Sequence, residues 1–189
     1  MFSKTQYAFP IAALIISCFF IVACENDVKK IDALLKNRAA IEEAYTIQAY
    51  MSQSGLVKAK LASPYMMIVQ GDSGYIEFPK TLHIDFYDDS VTIESTLDSR
   101  YGKQFQYNGL TLLKDSVVVI NKKNGDTLRT NELWWDRNKS EFRTDKPVQI
   151  YQRDRTIFGI GLWGLQDFSK YNINTITGTV LVPPNDIPQ

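Results

Sequence analysis

The chain has 189 residues, and its 21 basic and 21 acidic side chains cancel and are spread without blocks, so no cationic stripe exists to neutralise a nucleic-acid backbone. Its two cysteines, Cys18 and Cys24, both lie at the front and His83 is the single histidine, which leaves no disulfide framework, zinc site or cysteine nucleophile for the body of the chain. No cofactor, no metal and no catalytic residue is expected from this inventory, and the chain reads as a non-enzyme.

Lys4 precedes an apolar run from Ala8 to Ala23 that closes on Ile21-Val22-Ala23-Cys24. A short basic start, an apolar stretch and small residues before a cysteine are what a lipoprotein signal requires, because the thiol is acylated before the peptide is cut. The run is shorter than the roughly 20 residues of a spanning helix, which favours removal. Residues 1–23 are therefore expected to be a signal peptide and Cys24 the lipidated first residue of a membrane-anchored protein. Residues 24–45, charged and rich in Ala and Leu, read as a tether with at most one marginal helix through Ile31, Leu34, Leu35, Ile41 and Tyr45.

From Thr46 the hydrophobic period becomes two, and Gly, Asn, Asp and Pro punctuate it every eight to twelve residues, as in a many-stranded antiparallel sheet. Leu82, Ile84 and Phe86 oppose His83, Asp85 and Tyr87, while Val91, Ile93 and Leu97 oppose Thr92, Glu94 and Thr96. Asp88-Asp89-Ser90 between these strands reads as a turn. Val117 to Ile120 is apolar on both faces and predicts a buried central strand, followed by a hairpin at Asn124-Gly125. Leu128-Arg129-Thr130-Asn131 returns as Phe142-Arg143-Thr144-Asp145, a weak repeat that suggests hairpins stacked in register. Pro79 and Pro147 are expected at strand entrances, and Pro183-Pro184 ends the last strand, leaving 183–189 as a short tail. The sheet domain is thus placed at residues 46–182.

Gly159-Ile160-Gly161-Leu162-Trp163-Gly164 matches the spacing of a dinucleotide-binding loop. No helix pattern follows it and no acidic residue stands about 20 positions on, so the glycines are read instead as points of close approach or a strand bulge. His83, on the polar phase of a strand, reads as solvated. What remains is a surplus of large apolar groups, 10 Phe, 10 Tyr and 3 Trp. Lining the inner face of an elongated sheet, they would shelter alkyl chains, and a chain of about 14 carbons resists exposure by roughly 10 kcal/mol. The expected lining is Leu82, Ile84, Phe86, Ile93, Phe105, Val119, Phe142, Ile150 and Ile160, each of which also fits an ordinary core position.

Tyr50-Met51-Ser52 to Gly55, Leu61-Ala62-Ser63-Pro64, Phe78-Pro79 to Phe86-Tyr87-Asp88, Val117-Val118-Val119 to Gly125-Asp126, Leu128 through Trp134-Trp135-Asp136, Thr144-Asp145 to Val148, and Gly159 to Leu162 follow one another in a familiar order. In these segments, spanning about Ala44 to Leu181, the sequence resembles the LptC family of periplasmic lipopolysaccharide-export components, in its Bacteroidetes-type lipoprotein form. The resemblance implies an all-β protein folded as an open, twisted antiparallel β-jellyroll on the periplasmic face of the inner membrane. It implies three partners: lipopolysaccharide, held by its acyl chains; an inner-membrane ABC transporter that supplies it; and a periplasmic bridge protein of the same fold, joined edge to edge by strand addition. It also implies that a bulky residue at Gly159 or Gly161 would block docking or passage. Proteobacterial members keep a spanning N-terminal helix where this chain has Cys24. Two other readings stay open: an envelope lipoprotein that organises proteins through its sheet edges, favoured by a filled interior, and a hydrolase or lectin acting on envelope polysaccharide.

Overall fold

The computed structural model describes residues 41–71 and 73–181. The signal, Cys24, most of the expected tether with its marginal helix, and the 183–189 tail lie outside these residues. Eleven strands follow in order: β1 (Ile41–Gln53), β2 (Leu56–Val69), β3 (Tyr75–Phe78), β4 (Leu82–Tyr87), β5 (Ile93–Ser99), β6 (Tyr101–Phe105), β7 (Leu110–Asn121), β8 (Thr127–Asp136), β9 (Glu141–Tyr151), β10 (Arg155–Leu165) and β11 (Tyr171–Leu181). All pair antiparallel in one sheet, giving the all-β, jellyroll-like fold that the alternation predicts.

The topology is simpler than eleven strands suggest. The pair β3 and β4 is one strand interrupted at Pro79, since both pair with β2 on one side, and with β6 and β5 respectively on the other. Likewise β5 and β6 are one strand broken at Arg100, and both pair with β7. The chain is therefore a meander in which each strand neighbours the next, and among the described residues β1 and β11 have a partner on one side only.

Residues Ile41–Tyr45, assigned above to the tether, belong to β1, whose pairing with β2 runs from Ile41 opposite Val69 to Gln53 opposite Leu56. No period-two pattern marks Ile41–Tyr45 because most of these side chains are exposed; this part of the strand exists by pairing. Ser54 and Gly55 close the hairpin with φ of 53° and 81°, the left-handed pair that a tight hairpin demands. The β7–β8 connection is longer than expected. Only Gly125 is left-handed there, and the Asn121 side-chain oxygen accepts from the Lys123 and Asn124 amides at 2.7 and 3.0 Å. At Asp88-Asp89-Ser90 the expected turn is present, with Asp88 Oδ1 accepting from the Ser90 and Thr92 amides, each at 2.9 Å.

One line of breaks crosses the sheet. Thr46, with φ of 55°, stands opposite Pro64; β2 changes partner from β4 to β3 beyond Ala62. The line continues through Pro79 and Arg100 to Asp115 and Ser116, both left-handed, where β7 changes partner from β6 to β5. It then passes the register shifts at Thr130/Trp134 and Ile160/Leu162. Pro147 lies on this line inside β9, opposite Ile160, and not at a strand entrance. The ladder is already interrupted there, so no amide is missed.

Breaks free backbone groups in a dry interior, and small hydroxyl side chains take them up. Buried Ser63 donates to Thr81 O at 2.7 Å, buried Thr130 donates to Pro147 O at 2.9 Å, and the Thr144 hydroxyl accepts from the Lys146 amide at 3.1 Å. The repeat noted in the sequence thus places Thr130 and Thr144 at the same feature of consecutive strands. Replacing Thr130 by Val keeps its shape but strands a carbonyl; we expect a loss of about 1–3 kcal/mol in urea denaturation.

On the outer face of β4, His83 is held by Asp98 at 2.7 Å and Asp85 at 3.0 Å. Partial burial lowers its pKa, but the two carboxylates outweigh that and the net shift is upward. A raised folded pKa contributes stability that is complete below the unfolded value of about 6.5 and disappears as pH rises through the folded value. The urea midpoint should therefore fall as pH rises from just below neutrality, and that slope should vanish in His83→Gln.

Candidate functional site: the apolar interior and its closed end

The sheet folds its inward side chains against one another. Leu82, Ile84, Phe86, Val119, Phe142 and Ile150 are all buried in a single core, as their alternation predicts. Phe86 of β4 meets Trp135 of β8 edge-on at 5.1 Å and Phe142 of β9 at 5.8 Å. These rings join the N-terminal half of the meander to the C-terminal half where no ladder connects them.

Three of the expected lining residues lie elsewhere. Ile93 stands at the mouth of the β4–β5 hairpin, opposite Tyr87 beyond a register shift, and is 38% exposed. Ile160 is 47% exposed because Gly159, Gly161 and Leu162 take the inward positions around it. Phe105 points outward, since Gly102 is the buried position of β6, and stacks on Trp134 at 6.0 Å. Conversely Phe78, Leu97, Leu113, Leu128, Leu133 and Trp135 belong to the core. Leu128 and Leu133 fall on opposite sides of the β7–β8 register break, so a strict period of two could not have found both.

Gly159, Gly161 and Gly164 all sit within strand β10, with no helix after them, which removes the phosphate-cradle reading. At Gly159 a Cβ would lie 2.8 Å from Thr175 O and strike the Ile173 side chain; at Gly161, where φ is 74°, it would strike Asn174. The glycines let β11 lie close. A bulky side chain at Gly159 would displace that edge strand.

The buried side chains form one continuous cluster, and the two cavities described lie at its margins. One of about 280 Å3 sits at the outer side of the β7–β8–β9 break, beside Thr130 and Pro147. The other, about 870 Å3, opens at the end of the sheet where four hairpin turns converge, between Met51, Lys58, Asp88, Glu94, Arg137 and Gln166. None of the nine expected lining residues borders either cavity. In the larger one, burial and the neighbouring Asp167 push the Glu94 carboxyl above its ordinary pKa, with Lys123 at 4.0 Å opposing them. Among the described residues no cluster of three or more His, Cys, Asp or Glu is arranged to hold a metal ion.

The β10–β11 turn lines one side of this cleft through Leu165, Gln166 and Asp167 and adds a buried ring to the core. In the β10–β11 turn, Phe168 adopts φ of 54° and turns its ring fully inward, stacking on Tyr171 at 4.6 Å. Its loop is clasped by Ser95 and Asn121 from the earlier half of the meander and by Trp135 from its own half. Buried Ser95 donates to Gln166 O at 2.7 Å, buried Asn121 donates to Asp167 O at 2.9 Å, and Trp135 Nε1 donates to Gln166 Oε1 at 3.2 Å. Tyr171 also faces Asp126, and burial followed by that carboxylate lifts its hydroxyl pKa to about 12. The sequence around Phe168 is polar and offers no alternation, so only the three-dimensional contacts reveal it. Phe168→Ala should cost about 3–5 kcal/mol in chemical denaturation and raise binding of a hydrophobic dye, since it empties the end of the core.

Such a meander, folded over an apolar interior and unpaired at its first and last strands, defines an all-β protein of the jellyroll-like class. A family model described as lipopolysaccharide-assembly, LptC-related, matches residues 9–173, and the chain belongs to the LptC family. No curated protein matches the chain. The family makes this protein a component of lipopolysaccharide transport in the cell envelope.

Proposed function

We propose that this protein is a periplasmic carrier, moored to the inner membrane through lipidated Cys24, which receives lipopolysaccharide from an ABC transporter and passes it to a bridge protein of the same fold. The observation that supports this most is the interior itself. Its two halves meet through apolar side chains and two hydrogen bonds, from Ser95 and Asn121, to one loop, with no ladder between their edges among the described residues. Acyl chains gain entry when the halves part and exchange side-chain contacts for lipid contacts of similar polarity. The apolar area then stays dry throughout, so the opening costs little beyond the clasp and the ring contacts. Free β1 and β11 edges are suited to strand addition by the transporter side and the bridge side.

A continuous buried core also favours a second reading, in which the protein organises partners through its edges and never holds lipid. Photo-crosslinking in whole cells separates the two. A photoreactive phenylalanine at Phe86 or Phe142 should label lipopolysaccharide, while the same group at outward-facing Gln149 should not. Labelling from none of the three positions would replace the carrier with the edge scaffold.

A further inference from the structure

The outer face of the sheet carries a patch that the transport reading does not use. Pairing places Trp163, Arg143, Trp134, Leu112 and Lys103 in one row across β10, β9, β8, β7 and β6. Each is outward, because Leu162, Phe142, Trp135, Thr111 and Gly102 beside them are buried. Phe105 stacks on Trp134 at 6.0 Å and carries Tyr107 on its edge at 6.1 Å, while Lys103 Nζ lies 3.5 Å from the Tyr75 ring centre. Trp163 is 40% exposed and Tyr107 is 70% exposed. Indole, phenol and benzyl rings beside Lys and Arg are the composition that settles at the boundary between lipid headgroups and acyl chains. Glu77, the carboxylate opposite Lys103, is occupied by the Tyr101 hydroxyl at 2.6 Å.

The chain ahead of Ile41 points to what covers this face. A second register row runs Phe105, Tyr75, Val69, Ile41, so the described fold begins three strands from Phe105, roughly 14 Å at normal strand spacing. Ahead of Ile41 the sequence holds the apolar run Ala8–Ala23 and Cys24. The 17 positions from Cys24 to Ile41 span at most roughly 60 Å fully extended. A tether of that length, entering the sheet at Ile41, is long enough to let the aromatic patch reach a membrane in which Cys24 is moored.

We propose that the Phe105, Tyr107, Trp134 and Trp163 face lies on the membrane surface, with its rings at the headgroup boundary and Lys103 and Arg143 against anionic lipid phosphates. This rests on the mooring part of the function proposed above. It fixes the orientation of the carrier, laying the sheet along the bilayer while its interior stays on the other side of the β6–β10 wall. The affinity needed is small, because the tether already supplies a high local concentration.

The test uses the full chain reconstituted into phosphatidylethanolamine and phosphatidylglycerol vesicles containing acyl chains brominated near the headgroup. The protein should float with the vesicles, and its tryptophan fluorescence should fall at least roughly twofold, as expected for rings at interfacial depth. The double variant Trp134→Phe/Trp163→Phe, which leaves buried Trp135 as the single tryptophan, should lose most of the quenching. Lys103→Glu/Arg143→Glu should weaken quenching without changing flotation. Flotation with no quenching would overturn the orientation and leave the mooring intact, whereas loss of flotation would overturn both. Quenching by bromine that persists in the double variant would also overturn it. Insensitivity to bromine combined with a fluorescence change on adding deacylated lipopolysaccharide would assign the rings to sugar and overturn the lipid contact.

Discussion

A sheet of long strands can enclose a core only if its backbone is allowed to break, and the line of breaks from Thr46 to Gly161 is the constraint on which this fold depends. At each break a strand changes partner or register, and a polar backbone group loses its ladder mate in surroundings where water is absent. Leaving such a group unpaired costs more than an ordinary hydrogen bond gains. Ser63, Thr130 and Thr144 supply partners from the core side, which explains why buried hydroxyls accompany the largest aliphatic side chains. The remedy is incomplete. The hydroxyls of Ser99, next to the Arg100 break, and Thr111 have no partner among the described residues.

Because the sheet is a meander, nearly all its pairing is between neighbours in sequence, and its two halves are held to each other by a different kind of bond. Rings in edge contact and a clasped loop do what a ladder does elsewhere. Edge contacts between rings are worth about 0.5–1.5 kcal/mol each beyond burial, far less than an eleven-residue ladder. The proposed carrier would need walls that are individually rigid and mutually weakly joined, and the division of labour between ladder and side chain provides that difference.

Much of this was legible in the sequence, for physical reasons that differ from residue to residue. Leu82, Ile84 and Phe86 alternate cleanly because one strand there faces water on one side and core on the other. Phe142 and Ile150 alternate for the same reason, though Pro147 between them marks a break and not a beginning. Ile160 and Phe105 were misassigned because alternation fixes phase only relative to a neighbour. In both cases glycine, with no side chain to reveal it, holds the inward position. β1 was hidden in part because an exposed edge strand carries no pattern to read. Phe168 was invisible because its inward turn depends on a left-handed backbone and on Ser95 and Asn121, which lie 71 and 46 residues away respectively from the carbonyls they bind.

That last contact has a temporal meaning. The loop bearing Phe168 belongs to the β10–β11 hairpin, so Ser95, Asn121 and every strand from β1 to β10 are synthesised before this loop is. Until β11 zips onto β10, the earlier strands present an unsealed apolar end to solvent and to whatever assists export. Formation of the β10–β11 hairpin is therefore also the event that buries Phe168, and a chain stopped short of residue 166 would leave that end of its core uncovered.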